Sequence, residues 1–169
     1  MGILCAVKCS EFMRALPEQV RSQADPGLRK IRSSHRPWLS QLYFADATVH
    51  YELWSMGMQR GPAGVAMLEL GLHFESRDRA VNAKLLAAFD RRMIEVKRTL
   101  GRQWEAEPWD RGWAKVYETF PREALEEEYL DRIAARFAAV INLLQPSVEE
   151  TLSGNHSPVR KSRVAPRRT

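Results

Sequence analysis

The segment AMLELGLHFE, residues 66–75, decides the fold of this chain. Its even-numbered residues are apolar, and the residues between them include two glutamates and a histidine. Alternation with a period of two is typical of a β-strand that has one apolar face. The stretch YFADATVHYEL, residues 43–53, alternates in the same way, and a glycine-rich loop, residues 57–64, separates the two stretches. Together they predict an antiparallel hairpin with one apolar and one polar face.

The sequence downstream of this hairpin predicts two helices and two further strands. The predicted elements are a helix over 78–100, strands over 102–109 and 113–120, and a last helix that starts at Pro121 and ends or kinks at Pro146. Gly101 has the position of a helix-terminating glycine, and Pro108 places the first of these strands at a sheet edge. The order β-β-α-β-β-α predicts an α+β fold, with two long helices on one face of a four-stranded, mostly antiparallel sheet.

Charge and composition divide the 169 residues into three parts. Residues 1–37 carry seven basic and three acidic side chains, and apolar residues at helical spacing over 10–23 predict a short helix there. Residues 38–152 carry 14 basic and 18 acidic side chains and contain all the predicted strands, so we expect one compact α+β domain over this range. Residues 153–169 carry five basic side chains, no acid and few apolar residues, which predicts a disordered basic tail.

The basic residues of this tail are candidates for nucleic-acid binding, because basic segments attract phosphates in a salt-dependent way. They are Arg160, Lys161, Arg163, Arg167 and Arg168. The alternative is that the tail is a solvated end without a dedicated partner. The formal net charge of +5 comes from the two ends of the chain, while the domain predicted between them is mildly acidic.

The composition also excludes membrane-spanning and disulfide-rich classes. No run of 18 apolar residues is present, so we expect no membrane partner, and residues 3–7 are too short an apolar stretch for a signal peptide. The two cysteines, Cys5 and Cys9, are too few for a disulfide framework. A cytoplasmic protein is therefore expected.

Two His-x-Glu triplets on the predicted hairpin carry the clearest chemical signal. Period two places each histidine and its glutamate on the same side of a strand, and every register that buries the apolar face adds Glu69 to that side. The candidate catalytic residues are His50, Glu52, Glu69, His73 and Glu75. The candidate metal ligands are His50, Glu52, His73 and Glu75.

Two registers of the hairpin are consistent with the sequence. A loop over residues 57–64 pairs Met56 with Val65. A slip of two residues instead places His50 opposite His73. In either register, imidazole and carboxylate groups come close enough to bind a divalent metal ion, or to act as a base and its orienting acid. The alternative is that this is the solvent-exposed face of a one-sided sheet, where charged residues are common.

Three of the five tryptophans, Trp104, Trp109 and Trp113, cluster around the predicted third and fourth strands. Arg102 and Arg111 are close to them in sequence, and aromatic residues beside arginines form protein interfaces or stack on bases. The alternative is that they cap the open end of a small sheet. We take them as candidate interface residues, for a homodimer or for another protein partner.

A further pattern runs from the hairpin towards the third strand. It comprises LELGLHFE at 68–75, Asn82 and Leu86, then Ile94, Leu100-Gly101 and Trp104-Glu105. In this pattern and in element order, residues 43–144 resemble an uncharacterised bacterial domain family that is often found behind restriction-type nuclease domains. The resemblance implies a cytosolic accessory domain. The nuclease part has no counterpart in these 169 residues, so the resemblance implies no nuclease activity.

Enzyme signatures are otherwise missing from the sequence. It contains no phosphate-binding loop, no zinc-deaminase cysteine pair after the triplets and no serine-nucleophile elbow. We therefore expect an interaction or accessory domain without enzymatic activity and without a cofactor. The alternative is an enzyme at the polar sheet face, either metal-dependent or acting by acid–base catalysis, and nucleic-acid association through the basic ends is a third hypothesis.

Overall fold

A computed structural model describes residues 7–57 and 64–154. Within these residues the chain forms four α-helices and one antiparallel sheet, so the predicted α+β class is confirmed. The helices are α1 (Cys9–Gln23), α2 (Arg79–Asp90), α3 (Met93–Leu100) and α4 (Glu127–Ser153). The strands are β1 (Arg32–Arg36), β2 (Leu39–Tyr43), β3 (Val49–Met56), β4 (Met67–Phe74), β5 (Glu105–Pro108) and β6 (Ala114–Pro121). They pair in the order β1-β2-β3-β4-β6-β5.

The prediction of a four-stranded sheet is wrong, because β1 and β2 precede the hairpin in the described chain. β1 has the sequence RSSHR, which is largely exposed and has no apolar alternation. An edge strand of this kind is held by backbone hydrogen bonds to β2, which a side-chain pattern does not report. The sheet therefore continues across residue 38, where we expect the compact domain to begin.

The predicted first strand of the hairpin, residues 43–53, does not coincide with a single strand of the structure. Tyr43 is the last residue of β2, and β3 begins only at Val49. The alternating residues between them form the turn that joins the two strands.

The predicted helix over 78–100 is two helices, α2 and α3, separated at Arg91 and Arg92. Val96 is buried seven residues after buried Phe89, so the apolar stripe continues across the break. Neither glycine nor proline marks the break, and the apolar periodicity therefore predicts one helix where the chain has two.

The bounds of the last helix also differ from the prediction. Pro121 ends β6, and α4 begins at Glu127. The helix then continues through Pro146, because Gln145 and Val148 are buried on either side of that proline. Packing of these residues outweighs the one helical hydrogen bond that a proline removes.

The helices cover one face of the sheet. Helix α1 packs against β1, β2 and α4, and α2 packs against β4, β5, β6 and α4. Phe74 of β4 stacks on Phe89 of α2, with 5.8 Å between the ring centroids. The alternation of β3 and β4 therefore sends the His-x-Glu triplets to the opposite face, which we call the polar face. None of the described helices combines the length and apolarity needed to cross a membrane.

Candidate metal centre

The register of β3 and β4 brings the two histidines together. His50 pairs with His73, Glu52 with Gly71, and Trp54 with Glu69. This is the slipped register, in which Met56 pairs with Met67. The apolar alternation of β3 and β4 places the predicted residues on the same face of the sheet. It does not determine the register, which depends on how the loop between the two strands closes.

These side chains are buried, so the alternative of a solvent-exposed sheet face is wrong for them. The exposed fraction is 0% for His73, 1% for His50, 4% for Glu69 and 7% for Glu52. Strand β6 and the loop before it supply the cover, since the Trp109 ring lies edge-on to His73 at 5.6 Å and Lys115 lies against the rings of Trp109 and Tyr117. Burying four ionisable groups together demands charge compensation.

His73 lies at the centre of the cluster, between three carboxylates. Its Nε2 is 3.5 Å from Glu52 Oε1 and 3.4 Å from Glu69 Oε1, and its Nδ1 is 3.6 Å from Glu75 Oε1. None of these contacts has hydrogen-bond geometry, and among the described residues neither ring nitrogen has a hydrogen-bond partner. The three carboxylates form ion pairs with a protonated His73, yet no hydrogen bond of good geometry holds either of its ring nitrogens in the described chain, which is unusual for a buried polar group.

The two glutamates of the centre each have one oxygen held by a fixed partner. Glu52 Oε2 accepts a hydrogen bond from Gln41 Nε2 at 3.1 Å and lies 3.2 Å from His50 Nε2. Glu69 Oε2 accepts one from Lys115 Nζ at 3.0 Å. The other oxygen of each glutamate therefore faces His73 Nε2 in a fixed orientation.

The tautomer of His50 follows from its backbone contact. Its Nδ1 lies 2.7 Å from the carbonyl oxygen of Ala47, which only accepts, so Nδ1 carries a proton and donates it. Nε2 of the same ring consequently points towards Glu52. Anchoring of one ring nitrogen by a backbone carbonyl is the usual way in which proteins orient a histidine at a metal site.

The surroundings shift the ionisation of the buried groups. Burial alone would lower the pKa of His73, but the carboxylates of Glu69, Glu75 and Glu52 outweigh it and raise that pKa to about 9. Burial likewise opposes ionisation of Glu52, yet His50, His73 and Gln41 lower its pKa to about 2. At neutral pH the cluster therefore holds ionised glutamates that are balanced by protonated His73 and by Lys115.

Two sets of three residues have the spacing of metal ligands in the described chain. They are Glu52, Glu69 and His73, and His50, His73 and Glu75, each with donor atoms within 4.8 Å of one another. A tetrahedral ion with ligands at about 2.1 Å separates its ligand atoms by about 3.4 Å. The contacts of 3.4 and 3.5 Å around His73 Nε2 match this separation.

Sequence reasoning missed Gln41 and Lys115 as members of the cluster. Gln41 lies on β2, which was not predicted as a separate strand. Lys115 pairs with His73 across β4 and β6, which are neighbours in the sheet but far apart in sequence. The alternation of β6 places Lys115 and Tyr117 on the same face of their strand. Alternation does not show which strand lies beside β6, so it could not predict that Lys115 lies next to His73.

The predicted tryptophan group is divided in the structure. Trp109 and Trp113 lie together, with 5.9 Å between ring centroids, on the loop that joins β5 to β6. Trp104 is fully buried and lines a cleft together with residues of α4, on the helix-covered side of the sheet. A side chain without exposed surface does not form an interface unless the chain rearranges.

The predicted nucleic-acid residues Arg160, Lys161, Arg163, Arg167 and Arg168 lie outside the described residues.

In comparisons with known proteins, no protein-family model, no curated protein and no solved structure matches this chain. The resemblance to the nuclease-associated domain family therefore stays a prediction.

Proposed function

We propose that this chain binds a divalent transition-metal ion on the polar face of its sheet, through Glu52, Glu69 and His73. The observation that supports the proposal most directly is the buried imidazole of His73, whose Nε2 has two carboxylate oxygens at ligand spacing and no hydrogen-bond partner in the described chain. One nitrogen and two carboxylate oxygens form a donor set that suits Mn²⁺, Fe²⁺, Co²⁺, Ni²⁺ and Zn²⁺.

Each of the three ligands has an outer partner that orients it. Gln41 Nε2 donates a hydrogen bond to the outer oxygen of Glu52 and lies 3.2 Å from His50 Nε2, and Lys115 donates one to the outer oxygen of Glu69. The Glu75 carboxylate lies beside His73 Nδ1, which is the arrangement of a carboxylate–histidine–metal triad. We therefore assign His50 and Glu75 to orienting the ligands and include Glu69 among the ligands themselves.

Charge favours the same assignment. Two buried carboxylates repel each other, and protonated His73 supplies one of the two positive charges beside them. A divalent ion replaces that proton with a larger charge at the same place, so binding releases a proton from His73. Three protein ligands also leave coordination positions for water or substrate, as in catalytic rather than structural sites. The metal-dependent enzyme of the sequence analysis would use these positions.

The proposal is tested by titrating protein dialysed against a chelator with Mn²⁺, Co²⁺, Ni²⁺ and Zn²⁺, with calorimetry and elemental analysis as readouts. We expect one ion per chain for at least one of these metals. Glu69→Gln and His73→Ala are expected to weaken its binding at least ~100-fold, because each removes a ligand. The Co²⁺ complex reports the coordination geometry through its visible absorption.

Matched controls come from the same sheet. Glu107→Gln removes a partly exposed carboxylate that contacts Lys115, and His35→Ala removes an exposed histidine of β1. Both should bind the metal as the unchanged chain does. If the folded chain binds none of the four ions, or if the controls lose binding as the ligand variants do, the proposal is wrong.

The expectation of an interaction or accessory module stays a prediction, as does nucleic-acid binding by the tail. Neither depends on the metal ion, so failure of one hypothesis leaves the others open to their own tests.

A further inference from the structure

A cleft of about 530 Å³ lies on the helix-covered side of the sheet, between α3, β6 and α4. Its volume is in the range of small-molecule sites. Leu100, Phe120, Ile133 and Val140 supply apolar walls. The cleft shares no lining residue with the metal cluster, which lies on the polar face.

Two of the residues that line this cleft carry a buried hydrogen-bond donor without a partner in the described chain. Trp104 is fully buried, and its Nε1, which only donates, has no hydrogen-bond partner among the described residues. The hydroxyl of Tyr129 lacks one as well, within the same part of the chain. Burial raises the pKa of Tyr129, and the backbone of Glu123 partly offsets this rise. The contact with Glu123 does not have hydrogen-bond geometry. An orphaned donor is costly unless a ligand or water satisfies it.

The charged residues of the cleft differ in how firmly they are held. Glu118 is fully buried, and it accepts hydrogen bonds from Arg136 and from Gln103. Arg132 is half-exposed, and its ion pairs are with the more exposed Glu123 and Glu128. Exposed ion pairs contribute little free energy, so a ligand can take the place of Glu123 on Arg132 at small cost. The guanidinium of Arg132 also lies over the Tyr129 ring, 5.3 Å from its centroid.

We infer that this cleft binds a small organic monocarboxylate, with its carboxylate on Arg132 and its apolar part against the walls beside Trp104. Both donor atoms are buried in the free chain, so the ligand oxygens accept hydrogen bonds from Trp104 and Tyr129 once side chains of the cleft shift to expose them. The lining carries two arginines and two glutamates, so its formal charge is balanced and a polyanion is disfavoured. This inference is independent of the metal proposal.

The test follows the indole N–H signal of Trp104 by NMR of the full chain, assigned by its absence in Trp104→Phe. The probes are hexanoate and benzoate, with hexanamide and benzamide as uncharged counterparts. We expect saturable shifts with the carboxylates, with a Kd in about the millimolar range for ligands of this size. Arg132→Gln is expected to weaken the binding at least ~10-fold, because it removes the charge-assisted pair.

Arg14→Gln, which removes an exposed arginine of α1, is the matched control and should leave the affinity unchanged. His73→Ala should also leave it unchanged, since that residue lies on the other face. The inference is overturned if neither carboxylate shifts the Trp104 signal. It is equally overturned if the amides bind as well as the acids, or if Arg132→Gln binds as tightly as Arg14→Gln.

Discussion

Buried glutamates occur on both faces of the sheet, and the two faces satisfy them differently. On the helix-covered face, Glu118 is held by Arg136 and Gln103, so both carboxylate oxygens have hydrogen-bond donors. On the polar face, Glu52 and Glu69 each have donors on one oxygen only, and the other oxygen faces an imidazole that forms no hydrogen bond within the described chain. The first arrangement is complete without any added group, whereas the second is the site that we propose for a divalent cation.

This difference separates structural from functional burial of charge. A carboxylate whose partners are all supplied by the chain contributes to the fold, and removal of a partner is felt as lost stability. A cluster that leaves ligand atoms converging on one point without hydrogen bonds is instead suited to hold an added ion, as proposed for the polar face. Four changes test whether the two faces differ in this way, and they are ordered by the size of the expected effect.

The largest effect is expected at the complete site. Arg136→Met leaves Glu118 buried with Gln103 as its remaining partner, and we expect the free energy of unfolding to fall by about 3 kcal/mol. Arg132→Met, on the same helix, removes only exposed pairs and should lower it by less than about 1 kcal/mol. Urea denaturation followed by circular dichroism measures both. Equal losses in the two variants would contradict the distinction.

At the metal cluster, the free energy of unfolding should instead depend on whether the proposed ion is bound. At a free metal concentration of 100 times the Kd, binding to the folded chain raises the free energy of unfolding by about 2.7 kcal/mol. Glu69→Gln should abolish this increase, and Glu107→Gln should retain it. Thermal and urea denaturation with and without the ion provide the measurement, and an increase that survives Glu69→Gln would place the ion elsewhere.

In chelator-treated protein, the free energy of unfolding should depend on pH through the buried groups of the polar face. The pKa of His73 is raised from 6.5 to about 9, so its contribution is full below pH 6.5 and is lost as the pH rises through 9. Glu52 has a pKa lowered from 4.5 to about 2, so its contribution is full above pH 4.5 and is lost as the pH falls through 2.

We expect a stability loss of about 2 kcal/mol between pH 6.5 and 9.5, because the shift at His73 is shared with the glutamates around it. His73→Gln should flatten this alkaline limb. His35→Gln, which changes an exposed histidine, should keep it. An alkaline limb that is unchanged in His73→Gln would show that another group produces it.

The smallest effect is expected at Gly71, which lies between Glu52 and Tyr117 in the sheet. An added Cβ would lie 2.8 Å from Tyr117 Cβ and 3.3 Å from His73 Nε2. Gly71→Ala should therefore cost about 1–2 kcal/mol of stability and weaken metal binding by displacing His73. Gly27→Ala, where nothing lies within 4 Å of the added atom, should change neither quantity. A metal affinity that is the same in both variants would show that the cluster tolerates displacement of His73.

The sequence determines which side chains share a face better than it determines what surrounds them. Alternation in β3 and β4 was sufficient to place His50, Glu52, Glu69 and His73 on one side, because a one-residue slip would bury polar groups in the core. It could not show that Trp109 and Lys115 cover that side, since β5 and β6 reach it through non-local pairing. Strand β1 was missed because polar edge strands have no apolar pattern to detect.

Helix α1 packs against α4, and the backbone amide of Asp25 donates to Asn142 Oδ1 across 117 residues of sequence. Translation delivers the first helix long before the last, by roughly ten seconds at ordinary elongation rates. During that interval the apolar stripe of α1, with Phe12, Met13 and Leu16, has no α4 to cover it. The packing of α1 against α4 therefore forms only after α4 has emerged from the ribosome, and nascent chains that stop before α4 leave the stripe uncovered on that side.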